Sequence, residues 1–277
     1  MLNNQTANKL RSMKLPAMAA EYLRQSELPA MSALEFDERL GMMADAEWLS
    51  RDNNRIKKLI KEANLRFSAA CLADVDYRPA RKLDRAYIAR LSDLLWLREA
   101  KNLMMTGCTG TGKTWLACAF GAEACRKGYR VAFYRVNRLL NDLTVASGSG
   151  SLYKMLTKLN KVDLLILDDW GLSVLNPPEG RLLLEIFEAR FGERSTVIAA
   201  QLPVAKWHGL FEDSTVADAV LDRLVHNSHR IELQGPSLRP TVQFPADVGT
   251  DRPAPHGAQT TVSDDSIANE PWEVMPD

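Results

Sequence analysis

Residues 102–114, NLMMTGCTGTGKT, limit what this chain can fold into more than any other stretch. An apolar run ends at Thr106, a glycine-rich turn follows, and Lys113 and Thr114 open a segment with helical periodicity. The spacing is GxxxxGK[ST], the phosphate-cradling loop between a strand and a helix. Gly107, Gly110 and Gly112 lack a Cβ, so backbone N–H groups can close around an anion. The helix that begins after Gly112 aims its positive end, about half an elementary charge, at the same spot. Lys113 adds a mobile cation for the β- and γ-phosphates, and the Thr114 hydroxyl is a ligand for Mg²⁺. Cys108, Thr109 and Thr111 complete the ATP-binding loop, Cys108 through its backbone N–H. A chance match would not bring the strand before and the helix after.

A second signal is VDLLILDDWG, residues 162–171. A fully apolar strand delivers two carboxylates at its C-terminal end, the edge of a parallel sheet where ligands bind. Asp168 is placed to hold Mg²⁺, and Asp169 to orient or deprotonate an attacking water. An ordinary acidic strand end would look the same in isolation; the phosphate loop upstream decides between them. Strands are expected at 130–136, 162–167, 196–200 and 230–233. Helices are expected after Thr114, at 137–146, 151–160, 182–191 and 215–225. Such alternation predicts an α/β fold with a parallel sheet covered on both faces. The strand at 130–136 falls between the loop and the acid strand, an insertion expected to set the acid pair across from the loop with room for water.

The chain before this region reads as helical, and we expect an all-α domain at 1–70, a nucleotide-binding domain at 71–240 and a disordered acidic tail at 241–277. Pro16 suits a helix start. Ser32 and Glu35 form a capping-box pattern, and Phe36, Leu40, Met43, Trp48, Ile56, Leu59 and Ile60 follow at helical spacing to about Asn64. Trp48 and the methionines are read as core. The second half of this helix carries Arg51, Arg55, Lys57, Lys58, Lys61 and Arg66 against Asp52 and Glu62, either a solvated face or a contact for nucleic-acid phosphates. Arg78-Pro79 marks a turn, with Arg81, Lys82, Arg85 and Arg90 on the next helix. Tyr77 is a candidate for an adenine pocket.

Charge sharpens the picture. The 35 basic and 35 acidic side chains cancel, but seven of the acids and only Arg252 among the bases lie from Asp247 onward. The body is therefore +6 and the tail −6, which permits a polyanionic partner. No apolar run approaches the ~20 residues of a membrane span, and MLNNQTANKLRSMKL has no signal-peptide core. Four cysteines without a CxxC pair and four histidines without metal spacing point to reduced thiols and a cytoplasmic protein.

GCTGTGKTWLACAFGAEACRKGY, DLLILDDWG, STVIAAQLPVAKWH and LDRLVHNSHRIELQGPSLRP together resemble the IstB family of AAA+ ATPases, helpers of insertion-sequence transposases, from the N-terminus to about Pro240. Bacterial helicase loaders are similar. The resemblance implies Walker A at 107–114 and Walker B at Asp168 and Asp169, where the family more widely has Asp-Glu. It implies sensor 1 at Gln201, although many relatives have Thr-Ser-Gln where this chain has Ala199-Ala200-Gln201. Arg223 matches an arginine finger supplied to a neighbouring subunit; its bland alternative is a salt bridge with Asp222. Arg239 matches a sensor 2 arginine, with Pro240 where relatives carry a base. The implied function is an ATPase that self-associates into a ring or helical oligomer on double-stranded DNA and presents it to a cognate transposase. The rivals are a helicase loader, a small-molecule phosphotransferase and a non-hydrolysing nucleotide switch.

Overall fold

The computed structural model describes residues 2–238. Five parallel strands form one sheet: β1 (Asn102–Gly107), β2 (Val131–Arg135), β3 (Leu164–Trp170), β4 (Ser195–Ala200) and β5 (Ser228–Leu233), in the order β2-β3-β4-β1-β5. Successive side chains on a strand point to opposite faces. Leu103, Met105, Leu164, Ile166 and Val197 accordingly enter one core, and Met104, Leu165, Leu167 and Ile198 the other. Both cores are covered by helices, which is why β3 and β4 are buried along almost their whole length and carry continuous apolar runs, 164–167 and 197–200, rather than alternating. The first core is closed by α4 (Arg85–Ser92), α5 (Leu95–Arg98) and α6 (Lys113–Arg126). The second is closed by α7 (Val136–Gly148), α8 (Leu152–Lys161), α9 (Pro177–Arg190) and α10 (Ser214–Val225).

The strand that stands between β1 and β3 in the sheet is β4, not the one between them in the sequence; β2 is the outer edge. Adjacency in the chain does not report adjacency in a parallel sheet, because each crossover helix can carry the chain past a neighbour. The helix expected at 182–191 begins earlier, at Pro177. Asn176 Oδ1 accepts from Glu179 N–H at 2.9 Å, Glu179 Oε2 accepts from Asn176 N–H at 3.0 Å, and Pro177 presets the first turn.

Before the sheet lie α1 (Leu2–Ser12), α2 (Pro16–Glu27) and α3 (Phe36–Ala63), stacked in order. The box that starts α3 is Glu35 with Glu38, not Ser32 with Glu35; Ser32 is inside a 3-10 turn and its hydroxyl donates to Pro29 O. Leu15 cannot cap α2. Its open N–H groups at Ala17 and Met18 instead donate to Glu47 Oε2 on α3, at 2.9 and 3.1 Å. Arg51 Nε holds the other oxygen of Glu47 at 2.8 Å and donates through Nη2 to Lys14 O. Met43 is buried as expected, but Met42 and Met13 are exposed, as are Trp48 (65%) and Phe36 (69%), so the methionines are not all core. Helical spacing shows that apolar residues recur, not that anything covers them. The far end of α3 joins the body: Leu59, Ile60 and Ala63 pack into the first core. Arg81 and Lys82 lie outside the following helix, which starts after the Asp84 cap.

Candidate nucleotide site

The loop between β1 and α6 folds as its glycines dictate. Gly107 has φ +147° and lies so close to β5 that a Cβ would run into the carbonyl oxygen of Leu233; at Gly110, φ +86°, it would meet the Ser237 side chain. Leu238 N–H donates to Gly110 O at 2.9 Å, and Arg81, buried, donates from Nη2 to Thr111 O at 2.6 Å. The loop is therefore braced from outside by segments on either side of the sheet region in sequence. Thr111 Oγ1 closes it from within by donating to Cys108 O. Lys113 Nζ, in the first turn of α6, donates to Gly107 O at 2.8 Å and Cys108 O at 2.7 Å, which keeps the ammonium over the loop.

Thr114 and the acids meet at this point. The Thr114 hydroxyl stands 2.9 and 3.0 Å from the two carboxylate oxygens of Asp168. Asp168 is 1% exposed. Burial pushes its carboxyl above the ordinary range, the Asp169 charge adds to this, and the Thr114 hydrogen bond opposes it. Two oxygen donors converging in this way suit a hard divalent cation such as Mg²⁺, whose charge would favour the ionised carboxylate. Asp169 is in the left-handed region, φ +61°, where the β3–β4 register slips between Leu167 and Trp170. A non-glycine residue held there stores about 1 kcal/mol, and such bulges re-aim side chains next to sites. The Asp169 carboxylate is set against Arg135 Nε at 3.5 Å, across the β2–β3 pair. The anchor under this bend is Trp170, packed among Phe187, Trp207 and Phe211.

Gln201 follows β4, the strand between the loop and the acids, and its Oε1 accepts from Thr109 Oγ1 at 2.9 Å. Loop, Lys113, Thr114, Asp168, Asp169 and Gln201 thus share the C-terminal edge of the sheet. Arg223 does not join them. Its backbone carbonyl accepts from Asn102 Nδ2 at the opposite end of β1, five strand steps or about 17 Å from Gly107. Its guanidinium is ion-paired with Glu188 on α9, not Asp222, and also donates to Ala219 O at 2.8 Å. Arg239 lies outside the described residues. Tyr77 is half-buried in the first core with the Arg85 guanidinium 5.4 Å over its ring.

Arg81, Arg135 and Glu188 are additions that sequence reading did not reach. Each acts through a partner far away in the chain, and nothing local marks it. For Arg135 the pairing of β2 with β3 is the missing information, since it sets residue 135 beside Asp168.

The profile of the IstB-like ATP binding protein family matches residues 8–244. A Pseudomonas fluorescens protein named for insertion sequence IS1162 and for ATP binding is 46% identical over 203 residues, 73% of this chain and 88% of the relative. The y4pL protein of Sinorhizobium fredii, named for an insertion sequence and ATP binding, is 44% identical over 86% of this chain and 97% of its own length. Among solved structures the fold resembles that of the DnaC helicase loader (TM-score 0.52, 23% identity, 61% of this chain and 99% of that one). It also resembles AMPPCP-bound DnaA from Aquifex aeolicus (TM-score 0.50, 22% identity, 60% of this chain and 50% of that one).

Proposed function

The chain belongs to the IstB-like ATP-binding protein family, and from that membership and the geometry above we propose that it is an ATP-hydrolysing transposition helper. It assembles with ATP into a ring or helical oligomer on double-stranded DNA and presents the DNA to a partner transposase. The helices before about residue 70 are the client-facing module and residues 71–240 the ATPase. The observation that carries the reading is the meeting of the Thr114 hydroxyl with the buried Asp168 carboxylate beside Lys113 at the start of α6. The names of the relatives favour transposition over helicase loading.

The glycine loop and the α6 N-terminus hold the β- and γ-phosphates, and Lys113 turns its ammonium from the loop carbonyls to the phosphate oxygens. Thr114 and Asp168 would hold Mg²⁺, which would supply positive charge to the phosphates. Asp169 accepts the proton of a water whose oxygen attacks the γ-phosphorus, while the bond to the β–γ bridging oxygen breaks. The Arg135 guanidinium, 3.5 Å away, fixes the direction in which the Asp169 carboxylate is presented. Gln201 steadies the γ-phosphate side. Because Arg223 is at the other end of β1 from its own loop, we assign its guanidinium to a neighbouring copy's γ-phosphate, where such a group is worth about 10³ or more in rate.

The exposed thiol of Cys108 reports directly on the loop. ATP with Mg²⁺ should protect it from alkylation in the wild type and not in Lys113→Ala. Equal alkylation with and without nucleotide would remove the basis of the reading. Arg223→Ala should bind ATP and lose hydrolysis, and mixing it with Asp169→Asn should restore part of the rate; no restoration would overturn the finger assigned across the interface.

A further inference from the structure

The sequence directs attention to the basic run on α3, but half of that run is already paired. Arg51 is paired with Glu47, Arg55 with Asp52 and Lys58 with Glu62. On α3 that leaves Lys57 and Lys61 without an ion pair among the described residues, on a helix that also carries Asp52 and Glu62; α8 has more unpaired cations. Helix α8, LYKMLTKLNK, contains no acid. It buries Leu156 and Leu159 on the second core and turns Lys154, Lys158 and Lys161 to solvent, none of them ion-paired among the described residues. The next acid in the chain, Asp163, is already held by Arg130 and Arg194. Tyr153, 82% exposed, and Thr157 lie beside the lysines at helical spacing. The row borders an open groove of about 910 Å³.

We propose that this face of α8 is a contact for the sugar–phosphate backbone of duplex DNA. The inference rests on the reading that the chain acts on DNA, and it places that contact on α8 rather than α3. Two features carry it. The first is charge: three unpaired ammonium groups on one short helix repel one another and gain from a polyanion. The second is chemistry and spacing. Lysine, tyrosine and threonine are all side chains that donate to phosphate oxygens. From Lys154 to Lys161 the helix rises about 10 Å, and one DNA strand presents a phosphate about every 3.4 Å of axis, so the row faces two or three of them. Contacts to phosphate carry no sequence information directly, so a row engaged with the backbone sets affinity and register without sequence preference.

The test is fluorescence anisotropy of a labelled duplex against salt, using the full chain with ATP and Mg²⁺. Each phosphate neutralised contributes about 0.9 to the slope of log affinity against log salt. Lys154→Ala/Lys158→Ala/Lys161→Ala should therefore flatten the slope by about 2 to 3, equally on duplexes of unrelated sequence, and Lys158→Ala alone by about 1. Lys57→Ala/Lys61→Ala on α3 should leave the slope within about half a unit of wild type. Nucleotide binding by the triple variant should be unchanged, which shows that the body is folded; if it is not, the single variant decides. Wild-type slope in the α8 variants overturns the inference, and is the result expected if the row serves an acidic protein instead. A wild type that does not bind duplex DNA at all overturns the DNA reading beneath it.

Discussion

The sheet body and the three helices before it are held together in different ways. Both faces of the sheet are filled by leucine, isoleucine, valine, methionine and aromatic side chains, most of them wholly buried. Burial of that kind is worth about 1.5–3 kcal/mol for each large side chain. Helices α1 to α3 bury Ala7, Ala19 and Met43, and beside them the polar Gln25 and Glu47. Gln25 is satisfied by Glu21 and the Arg39 carbonyl, and Glu47 by Arg51 and the α2 N-terminus. One region therefore depends on apolar volume and the other on a few specific polar contacts. The lesson is that perturbations of packing should show in the body, and perturbations of charge and pH in the helices.

The exception inside the body gives the largest expected effect. Arg190, at the end of α9, is 1% exposed, with no ion pair among the described residues. It donates to Leu159 O at 2.8 Å, Val162 O at 3.0 Å, Ser195 O at 2.5 Å and Thr196 Oγ1 at 3.3 Å. It ties α9, the α8–β3 connection and the start of β4 into one joint. Burial lowers its guanidinium to about 9, so it still carries its charge at neutral pH. Arg190→Ala leaves several buried carbonyls without donors and should cost about 3 kcal/mol or more in the denaturant unfolding of the body. A loss below about 1 kcal/mol would mean that water replaces the guanidinium and that apolar volume alone holds this joint.

How far these contrasts could be read in advance depended on the range of the interactions. The phosphate loop was legible because its mechanism is local: Gly107 to Thr114 carry the turn, the helix start and the ligands within eight consecutive residues. Asp168 and Asp169 were legible because the apolar run stops at Leu167, although the strand itself continues through both carboxylates to Trp170. The order β2-β3-β4-β1-β5 was not, nor was the pairing of Arg135 with Asp169 that follows from it, since which strands lie side by side is decided by packing across the sheet. The α2 cap was hidden for the same reason. Leu15 offers no oxygen, and the one that serves is Glu47, 30 residues from Ala17.

That cap is the way to break the helical region selectively. Hydrogen bonding by Arg51 holds the Glu47 carboxyl below its ordinary value of 4.5, burial opposes this, and the N–H groups of Met18 and Ala17 reinforce it. A carboxyl lowered in the fold stabilises fully above its unfolded pKa, and the contribution is lost as pH falls through the folded value. Asp168 runs the other way, because its raised pKa means that acid relieves a cost in the body. As pH drops below about 4.5, amide exchange at Ala17 and Met18 should therefore accelerate before that of β1 and β3. Glu47→Gln, which keeps the shape and removes the charge, should speed the same amides at neutral pH and leave the body's exchange unchanged. Simultaneous loss of protection in both regions would show that they are one cooperative unit.

The smallest effect makes the sharpest comparison. A tryptophan in a packed core costs about 3–5 kcal/mol when truncated. Surface substitutions stay within about 0.5 kcal/mol. Trp48 sits at core spacing on α3 but two-thirds of it faces solvent, and Phe36 and Leu49 on the same helix are more than half exposed. Trp48→Ser should therefore leave the unfolding midpoint of the isolated chain almost where it is. A drop of several kcal/mol would restore the periodicity reading and mean that the indole is covered in solution. The outcome also separates the two regions cleanly: Trp170, deep among Phe187, Trp207 and Phe211, should show the full core cost when changed to alanine. The two tryptophans then measure, in one chain, how much of an apolar pattern is burial and how much is only spacing.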